Sequence, residues 1–139
     1  MKILVDTNVI LDIILNRREF VDASKEALEK AINKGDRLFF SCSAITDVYY
    51  IVRKQTGDKR IALKAINNMQ ELFNLLPVDE IVINNALSSK VNDFEDAVLD
   101  ELASLNEIGF IITRNIIDFS NSRNKCITPT DYIKLGKGC

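Results

Sequence analysis

Aspartates placed beside apolar segments are the residues of this chain best suited to chemistry. Asp6 directly follows the apolar run Ile3-Leu4-Val5 and precedes an apolar helical pattern, a position that is costly for a charge unless a cation or hydrogen-bond donors meet it. Asp47 and Asp96 lie near the starts of two further helical patterns, and Asp118 comes after a late apolar run. Carboxylates gathered at one place bind cations and exchange protons, so these four are the candidate site residues.

Each of these aspartates also has an ordinary structural interpretation. Asp6 suits the N-cap of the helix that follows it, and Asp93 and Asp96 have the spacing of an N-cap residue and its N3 partner. Asp47 would stabilise the positive N-terminal end of a helix, and Asp118 would fit a surface loop. The functional interpretation therefore depends on whether the fold brings them together.

Residue types that are absent or isolated narrow the chemistry further. The chain has no histidine, which excludes imidazole bases, Ser-His-Asp and Cys-His catalysis, and His-rich metal sites. Cys42, Cys126 and Cys139 are odd in number and widely spaced, so they predict neither a disulfide framework nor a zinc site. Carboxylate, hydroxyl, amide, lysine and arginine chemistry remain.

The composition predicts one globular domain over residues 1–139, with a flexible tail around Cys139. The 139 residues are 47% hydrophobic and 27% charged, with only 5 Gly and 2 Pro, which is typical of a domain with its own core. The net charge of −2 gives no general attraction to nucleic acid, so phosphate binding must be local. No apolar run suits a membrane span and no signal-peptide pattern opens the chain, so we expect a cytosolic protein with no membrane partner.

The hydrophobic pattern alternates between strands and helices. Short apolar runs predict strands at residues 3–5, 38–40, 75–78, 110–112 and 126–127. Amphipathic helical stretches lie between them, and Gly35 and Gly57 are predicted to end two of these helices. This alternation predicts an α/β fold with a mainly parallel sheet.

The predicted sheet would gather the acids into one crevice. Ligands of open α/β sheets bind beyond the carboxyl ends of the strands, where Asp6 would lie. Crowded carboxylates repel one another unless a divalent cation compensates them, and ligands that are all oxygen select a hard ion such as Mg²⁺ or Mn²⁺. Such an ion holds a phosphate oxygen, activates water and neutralises the leaving oxygen. Phosphodiester hydrolysis needs all three.

Four short motifs occur in order along nearly the whole chain. They are Ile3-Leu4-Val5-Asp6-Thr7-Asn8-Val9-Ile10-Leu11-Asp12, Ser43-Ala44-Ile45-Thr46-Asp47, Asp93-Phe94-Glu95-Asp96-Ala97, and Ile112-Thr113-Arg114-Asn115 with Asp118-Phe119. With these motifs the chain resembles PIN domains, the metal-dependent ribonuclease fold shared with VapC-type toxins of toxin–antitoxin pairs. The resemblance implies a three-layer α/β/α fold with a central, mainly parallel sheet of about five strands, and an acidic pocket that binds Mg²⁺ or Mn²⁺.

The resemblance also implies roles for individual residues. Asp6, Asp96 and Asp118, or Asn115 in place of Asp118, would bind the metal, and Asp47 would join them as a catalytic acid. Supporting roles fall to Thr7, Asn8, Thr113, Asn115 and Asp93. Asp93 would replace Asp96 in another register, whereas Asp100, four residues after Asp96, is expected to be exposed to solvent rather than to reach a second ion. The family usually has glutamate at the position of Asp47, and it more often has aspartate at the position of Asn115. Both departures are compatible with a weaker catalytic site in this chain.

The expected partners follow from the same resemblance. RNA would be the substrate, with DNA as the alternative. Among the basic residues, Arg114 is the nearest in sequence to the predicted pocket. Solvated surface charge explains each of the further candidates for phosphate contacts better than a contact does; these are Arg17, Arg18, Arg53, Lys54, Lys59 and Arg60. An antitoxin protein would cover the crevice. Tyr49, Tyr50 and Phe73 would serve either a homodimer or the core.

Three functions from different classes fit these observations. The leading hypothesis is an endoribonuclease in which metal-activated water attacks the RNA phosphorus. The second is a catalytically weak or inactive PIN-like module that binds RNA or protein. The third is phosphoryl transfer through an aspartyl phosphate on Asp6, which the order Asp6-Thr7-Asn8 and the lack of a lysine after a late strand disfavour.

Overall fold

The computed structural model describes residues 1–135, which form five strands and seven α-helices. The strands are β1 (Lys2–Val5), β2 (Arg37–Ser41), β3 (Asn74–Leu76), β4 (Phe110–Ile112) and β5 (Cys126–Ile127). The helices are α1 (Thr7–Ile14), α2 (Val21–Asn33), α3 (Ile45–Thr56), α4 (Lys59–Leu72), α5 (Glu80–Leu87), α6 (Phe94–Leu105) and α7 (Pro129–Lys134). Two short 3₁₀ turns span Cys42–Ala44 and Ile116–Phe119. The predicted flexible tail around Cys139 lies outside the described residues.

The five strands form one parallel sheet in the order β3-β2-β1-β4-β5. In the register, Ile3 of the central strand β1 lies between Leu38 of β2 and Phe110 of β4. The prediction of an α/β fold with a mainly parallel sheet is confirmed. The chain runs from β1 to β2 on one side and later returns to β4 on the other, so the crevice beyond β1 and β4 is the topological switch point.

Alternate side chains of the sheet enter two separate cores. Ile3, Val5 and Phe40 pack against the helical layer that includes α1, α2 and α3. Leu4 and Ile111 point the opposite way and pack against α5 and α6. Because both faces of the sheet are covered, its strands are unbroken apolar runs rather than alternating ones. The three-layer α/β/α architecture is therefore confirmed.

Proline and glycine set two element boundaries. β3 ends at Leu76, before the end of the predicted run at 78, because Pro77 has no N–H to donate to the neighbouring strand. Gly57 ends α3 as predicted, with a positive φ of 69° and its N–H donating to the carbonyl oxygen of Arg53 at 2.9 Å. Glycine adopts this left-handed conformation without the steric cost that a β-carbon brings.

The aromatic residues considered for a dimer have different environments. Phe73 is buried and its ring centroid lies 5.4 Å from that of Phe40, so it belongs to the core. Tyr50 is 63% exposed. The homodimer remains a prediction. Among the helices of residues 1–135, none combines the length and the apolar character that a membrane span requires.

Candidate active site

A polar cleft of about 420 Å³ lies beyond the carboxyl ends of β1 and β4. Its walls come from the start of α1, the first two turns of α3, the start of α6 and the segment after β4. The cleft is lined by Asp6, Thr7, Asn8, Leu11, Asp47, Tyr50, Ile51, Asp93, Glu95, Asp96, Asn115 and Asp118. The switch point of the sheet is therefore an acidic crevice.

Asp6 is the most buried acid of the cleft and is held by two neighbours. It caps α1, and its Oδ1 accepts a hydrogen bond from the Thr7 N–H at 2.7 Å. Its Oδ2 accepts a hydrogen bond from the Thr113 hydroxyl at 2.8 Å. The Asp6 N–H donates to the Ile112 carbonyl at 2.9 Å, so the ends of β1 and β4 are tied together. The carboxylate is thus fixed in orientation, and each oxygen keeps a lone pair for a cation.

Asp93 and Asp96 enter the cleft from the N-terminus of α6. Asp93 is the N-cap, and its Oδ1 accepts a hydrogen bond from the Asp96 N–H at 3.1 Å. The predicted capping pair is therefore present, and both carboxylates also line the cleft. The positive end of the helix dipole stabilises negative charge at this position.

Asp47 and Asp118 lie on the exposed walls of the cleft. Asp47 is in the first turn of α3. Asp118 is in the 3₁₀ turn that follows β4, two residues beyond the exposed Ile116. Both side chains reach the cleft from segments that begin where a strand ends.

The crowding of carboxylates shifts their proton affinities. Burial, followed by the charges of Asp6 and Asp93, raises the pKa of Asp96 from 3.8 to about 7, and Asp118 and Glu95 add to this effect. Burial also raises the pKa of Asp6, although the hydrogen bonds from Thr113 and Thr7 and the charge of Arg114 oppose it. Burial is the largest cause of both shifts, and for Asp96 the neighbouring carboxylates add to it.

The donor set fits a hard divalent cation. Carboxylate, amide and hydroxyl oxygens line the cleft, and a cation would relieve the repulsion that raises the pKa of Asp96. Within residues 1–135, no three acidic or cysteine side chains lie close enough together to form a ready-made metal cage. Mg²⁺ needs no such cage, because it usually keeps several waters and binds through only one or two carboxylates.

Comparison with known proteins places this architecture in a family. The model of the PIN domain family matches residues 2–117. The chain belongs to the PIN domain family. A curated relative, Ribonuclease VapC1 of Aquifex aeolicus, is 28% identical over 119 residues, which are 82% of this chain and 81% of the relative.

Solved structures share the fold of this PIN domain. VapBC2 from Rickettsia felis, bound to a DNA fragment from its promoter, matches with a TM-score of 0.73 and 12% identity, over 92% of this chain and 98% of that one. A toxin-antitoxin complex from Klebsiella pneumoniae matches with a TM-score of 0.68 and 23% identity, over 91% of this chain and 96% of that one. At such identities the likeness establishes the fold alone.

The fold of this PIN domain brings together most of the residues predicted for its site. Those that line the cleft are Asp6, Asp47, Asp96, Asp118, Thr7, Asn8, Asn115 and Asp93. Thr113 lies behind the cleft, fully buried, where it donates to Asp6 and accepts a hydrogen bond from the Asn115 N–H at 3.1 Å. Its supporting role at the site stays a prediction.

Arg114, which was predicted to contact substrate, forms its contacts outside the cleft. Its Nη2 donates to Oδ1 of Asp12 at 3.2 Å, and its Nε lies 2.8 Å from Oδ2 of the same carboxylate without the alignment of a hydrogen bond. The guanidinium carbon lies 3.9 Å from the centroid of the Phe20 ring. Arg17 also donates to Asp12, at 3.3 Å. Arg114 is not a lining residue of the cleft, so its predicted contact with substrate lacks structural support.

Two acids behave differently from what the sequence predicted. Asp100 is 2% exposed rather than solvent-exposed, because Ser122 and Asn124 donate hydrogen bonds to its carboxylate. Glu95 is the site residue that the analysis of individual acids missed. It lines the cleft, and burial with the charges of Asp93 and Asp47 raises its pKa. The sequence feature that could have identified Glu95 is its position next to Asp96, just inside a helix N-terminus.

Proposed function

We propose that this PIN domain is a Mg²⁺- or Mn²⁺-dependent endoribonuclease that acts in the cytosol and cleaves RNA phosphodiester bonds with metal-activated water. The observation that carries the proposal is the convergence of Asp6, Asp96 and Asp118 in one cleft, where burial, followed by the charges of neighbouring acids, raises the pKa of Asp96 to about 7. A cation is the simplest means of stabilising such a group of carboxylates. The Aquifex aeolicus relative, a ribonuclease by name, supports the same reaction class.

Individual residues of the cleft would have different roles in this reaction. Asp6, Asp96 and Asp118 would bind the ion, with Asp6 kept in orientation by Thr113 and Thr7. The bound ion supplies a Lewis acid for the phosphate oxygens and lowers the pKa of water. Asp47 and Glu95 would accept a proton from the attacking water or position it, since both line the same cleft.

A second candidate function is an RNA- or protein-binding module with weak or no cleavage. Two observations favour it: Asp47 is one methylene shorter than the glutamate usual in the family, and Asn115 stands where the family more often has aspartate. The two candidates differ in metal affinity, because a ligand that binds only the folded state raises its stability.

We also propose that the cleft is covered by an antitoxin protein. The similar structure from Klebsiella pneumoniae is a toxin-antitoxin complex. An acidic crevice of this kind would accept a basic side chain from such a partner. A partner bound there should inhibit cleavage and compete with the metal ion.

The decisive experiment measures cleavage of single-stranded RNA, and of DNA with the same sequence, in Mg²⁺, Mn²⁺ or EDTA. Asp6→Asn removes the charge and keeps the shape, so we expect it to lower the rate roughly a hundredfold or more without unfolding the protein. Asp22→Asn, at an exposed position of α2 outside the cleft, is the matched control and should cleave like wild type.

Each outcome separates the candidates. RNA cleavage that needs metal and fails in Asp6→Asn supports the nuclease. Full turnover by Asp6→Asn would contradict the proposed site. If wild type cuts nothing and neither metal raises its unfolding temperature, the binding module becomes the better function.

A further inference from the structure

A second cavity, of about 290 Å³, opens directly beside the acidic cleft. The two spaces share the walls formed by Asp6, Thr7, Asp47 and Glu95. A molecule whose charged group sits at the carboxylates can therefore extend a neighbouring group into this cavity.

The far wall of the cavity is mainly apolar. It is formed by Ile83 of α5 and by Phe94, Val98 and Leu99 of α6. Phe94 is 45% exposed although it is a large apolar side chain. The helices α5 and α6 thus present an aromatic ring and aliphatic groups next to a charged site, which is the composition of a ligand pocket rather than of an ordinary solvated surface.

Two serine side chains also line the cavity. The hydroxyl oxygens of Ser41 and Ser43 lie 2.8 Å apart and are hydrogen-bonded to each other. Ser41 is 2% exposed, so Ser43 is the member of the pair that a ligand can reach. Together with Asp47 it supplies hydrogen-bonding groups for the polar edge of an otherwise flat, apolar molecule.

We propose that this cavity binds the base of a nucleotide next to the scissile phosphate, with the base stacked on Phe94. The proposal rests on the proposed nuclease function and adds a specificity subsite to it. Among the described residues that line the cavity there is no lysine or arginine, and two aspartates and a glutamate are present. A second phosphate would be repelled, so the neutral part of the substrate is what fits.

The size of the cavity favours a single base over a protein segment. Pockets for drug-sized ligands run from about 300 to 1,000 Å³, and this one lies at the lower limit of that range. An aromatic ring stacks on every base, and its energy amounts to about fivefold to a hundredfold in affinity. The cavity would therefore make cleavage depend on one base position beside the cut.

The test uses a short single-stranded RNA that the protein cleaves at one place. A series of RNAs of the same sequence each carries one abasic site, at a different position in each RNA. For wild type, we expect one position beside the cut to lower kcat/KM about tenfold. Phe94→Ala should lower kcat/KM on intact RNA by a similar factor. In this variant, an abasic site at that position should cause no further decrease in kcat/KM. Phe94→Tyr keeps the ring and should keep the penalty.

Leu105→Ala is the matched control, because Leu105 is an exposed apolar residue of the same helix that does not line the cavity. It should behave like wild type at every position. Two results would overturn the subsite without contradicting the nuclease function. In the first, wild type cleaves the RNA and no abasic site lowers its kcat/KM. In the second, the abasic site lowers the kcat/KM of Phe94→Ala as much as that of wild type. If Phe94→Ala weakens only the binding of a protein inhibitor, the cavity belongs to that partner and the proposal is wrong.

Failure of the proposed function is distinguished by a binding measurement. If wild type cleaves no RNA in either metal, fluorescence anisotropy of the same intact and abasic RNAs decides the matter. A Phe94-dependent loss of affinity at one position supports the subsite in a protein that binds without cutting. Equal affinity for all of these RNAs overturns it.

Discussion

Asp12 and Arg114, 102 residues apart in the sequence, form an ion pair in which Arg114 Nε lies 2.8 Å from Asp12 Oδ2. Asp12 is fully buried and also accepts hydrogen bonds from Arg17 and from the Ser24 hydroxyl. The pair fastens the segment after β4 to α1, and so fixes the two elements that carry Asn115 and Asp6. Arg114, the residue predicted to contact substrate, is therefore paired with a buried carboxylate.

We expect the pair to be strongly coupled. Arg114→Met leaves the fully buried Asp12 carboxylate with only Arg17 and Ser24 to compensate it and should cost about 3 kcal/mol of unfolding free energy. Asp12→Asn should cost about 2 kcal/mol, because the guanidinium that it leaves without a counter-charge is partly exposed. Urea unfolding at constant slope measures these values. The double variant should cost about 1 kcal/mol less than the sum of the single ones. Strict additivity would show that the two side chains do not stabilise each other.

The stability of the metal-free protein should fall as pH rises. The folded state raises the pKa of Asp96 from 3.8 to about 7, so between these values it holds a proton that the unfolded state has released, and unfolding becomes easier with increasing pH. Solvent screening limits the effect of this partly exposed group to on the order of 1 kcal/mol. Unfolding temperatures in EDTA between pH 4 and pH 8 measure it.

The variant Asp96→Asn should flatten this pH dependence, and Asp22→Asn should not. The raised pKa values of Asp6 and Glu95 act in the same direction and will leave a residual slope. A wild-type protein whose stability rises over this pH range would contradict the repulsion inferred for the cleft.

Stabilisation by metal should have the opposite pH dependence. Protonated carboxyl groups do not bind cations, so Mn²⁺ should raise the unfolding temperature more at pH 8 than at pH 5. With a free concentration of a hundred times the dissociation constant, the gain is about 2.7 kcal/mol. Equal stabilisation at both pH values would indicate that the ion binds somewhere other than the carboxylates.

Removal of the Thr113 hydroxyl should weaken metal binding, because this hydroxyl holds the Asp6 carboxylate in place. Thr113→Val deletes the donor to Asp6 Oδ2 in a fully buried place, so we expect a loss of about 1–2 kcal/mol in stability and of roughly 10–100-fold in Mn²⁺ affinity. Thr113→Ser retains the hydroxyl and should recover most of the affinity. Calorimetric titration with Mn²⁺ tests both variants, and an unchanged affinity for Thr113→Val would exclude this role.

Local patterns along the chain were sufficient to predict the elements. The run Ile3-Leu4-Val5 reads as a strand covered on both faces, and Asp6 follows it at the edge where ligands of parallel sheets bind. The capping relationship between Asp93 and Asp96 is equally local and was predicted correctly. Such features depend on residues a few positions apart, whose geometry the backbone itself sets.

Contacts between distant segments were decided by the tertiary structure alone. Arg114 meets Asp12 instead of the cleft, and Asp100 is buried against Ser122 and Asn124. Glu95 faces the cleft because of how α6 packs on the sheet. The positions of acids at strand ends and helix starts could be predicted, because they follow from the periodicity of the apolar residues. Which of these charges share one cleft depends on long-range packing, since the energy of a charge is set by the neighbours that folding brings to it.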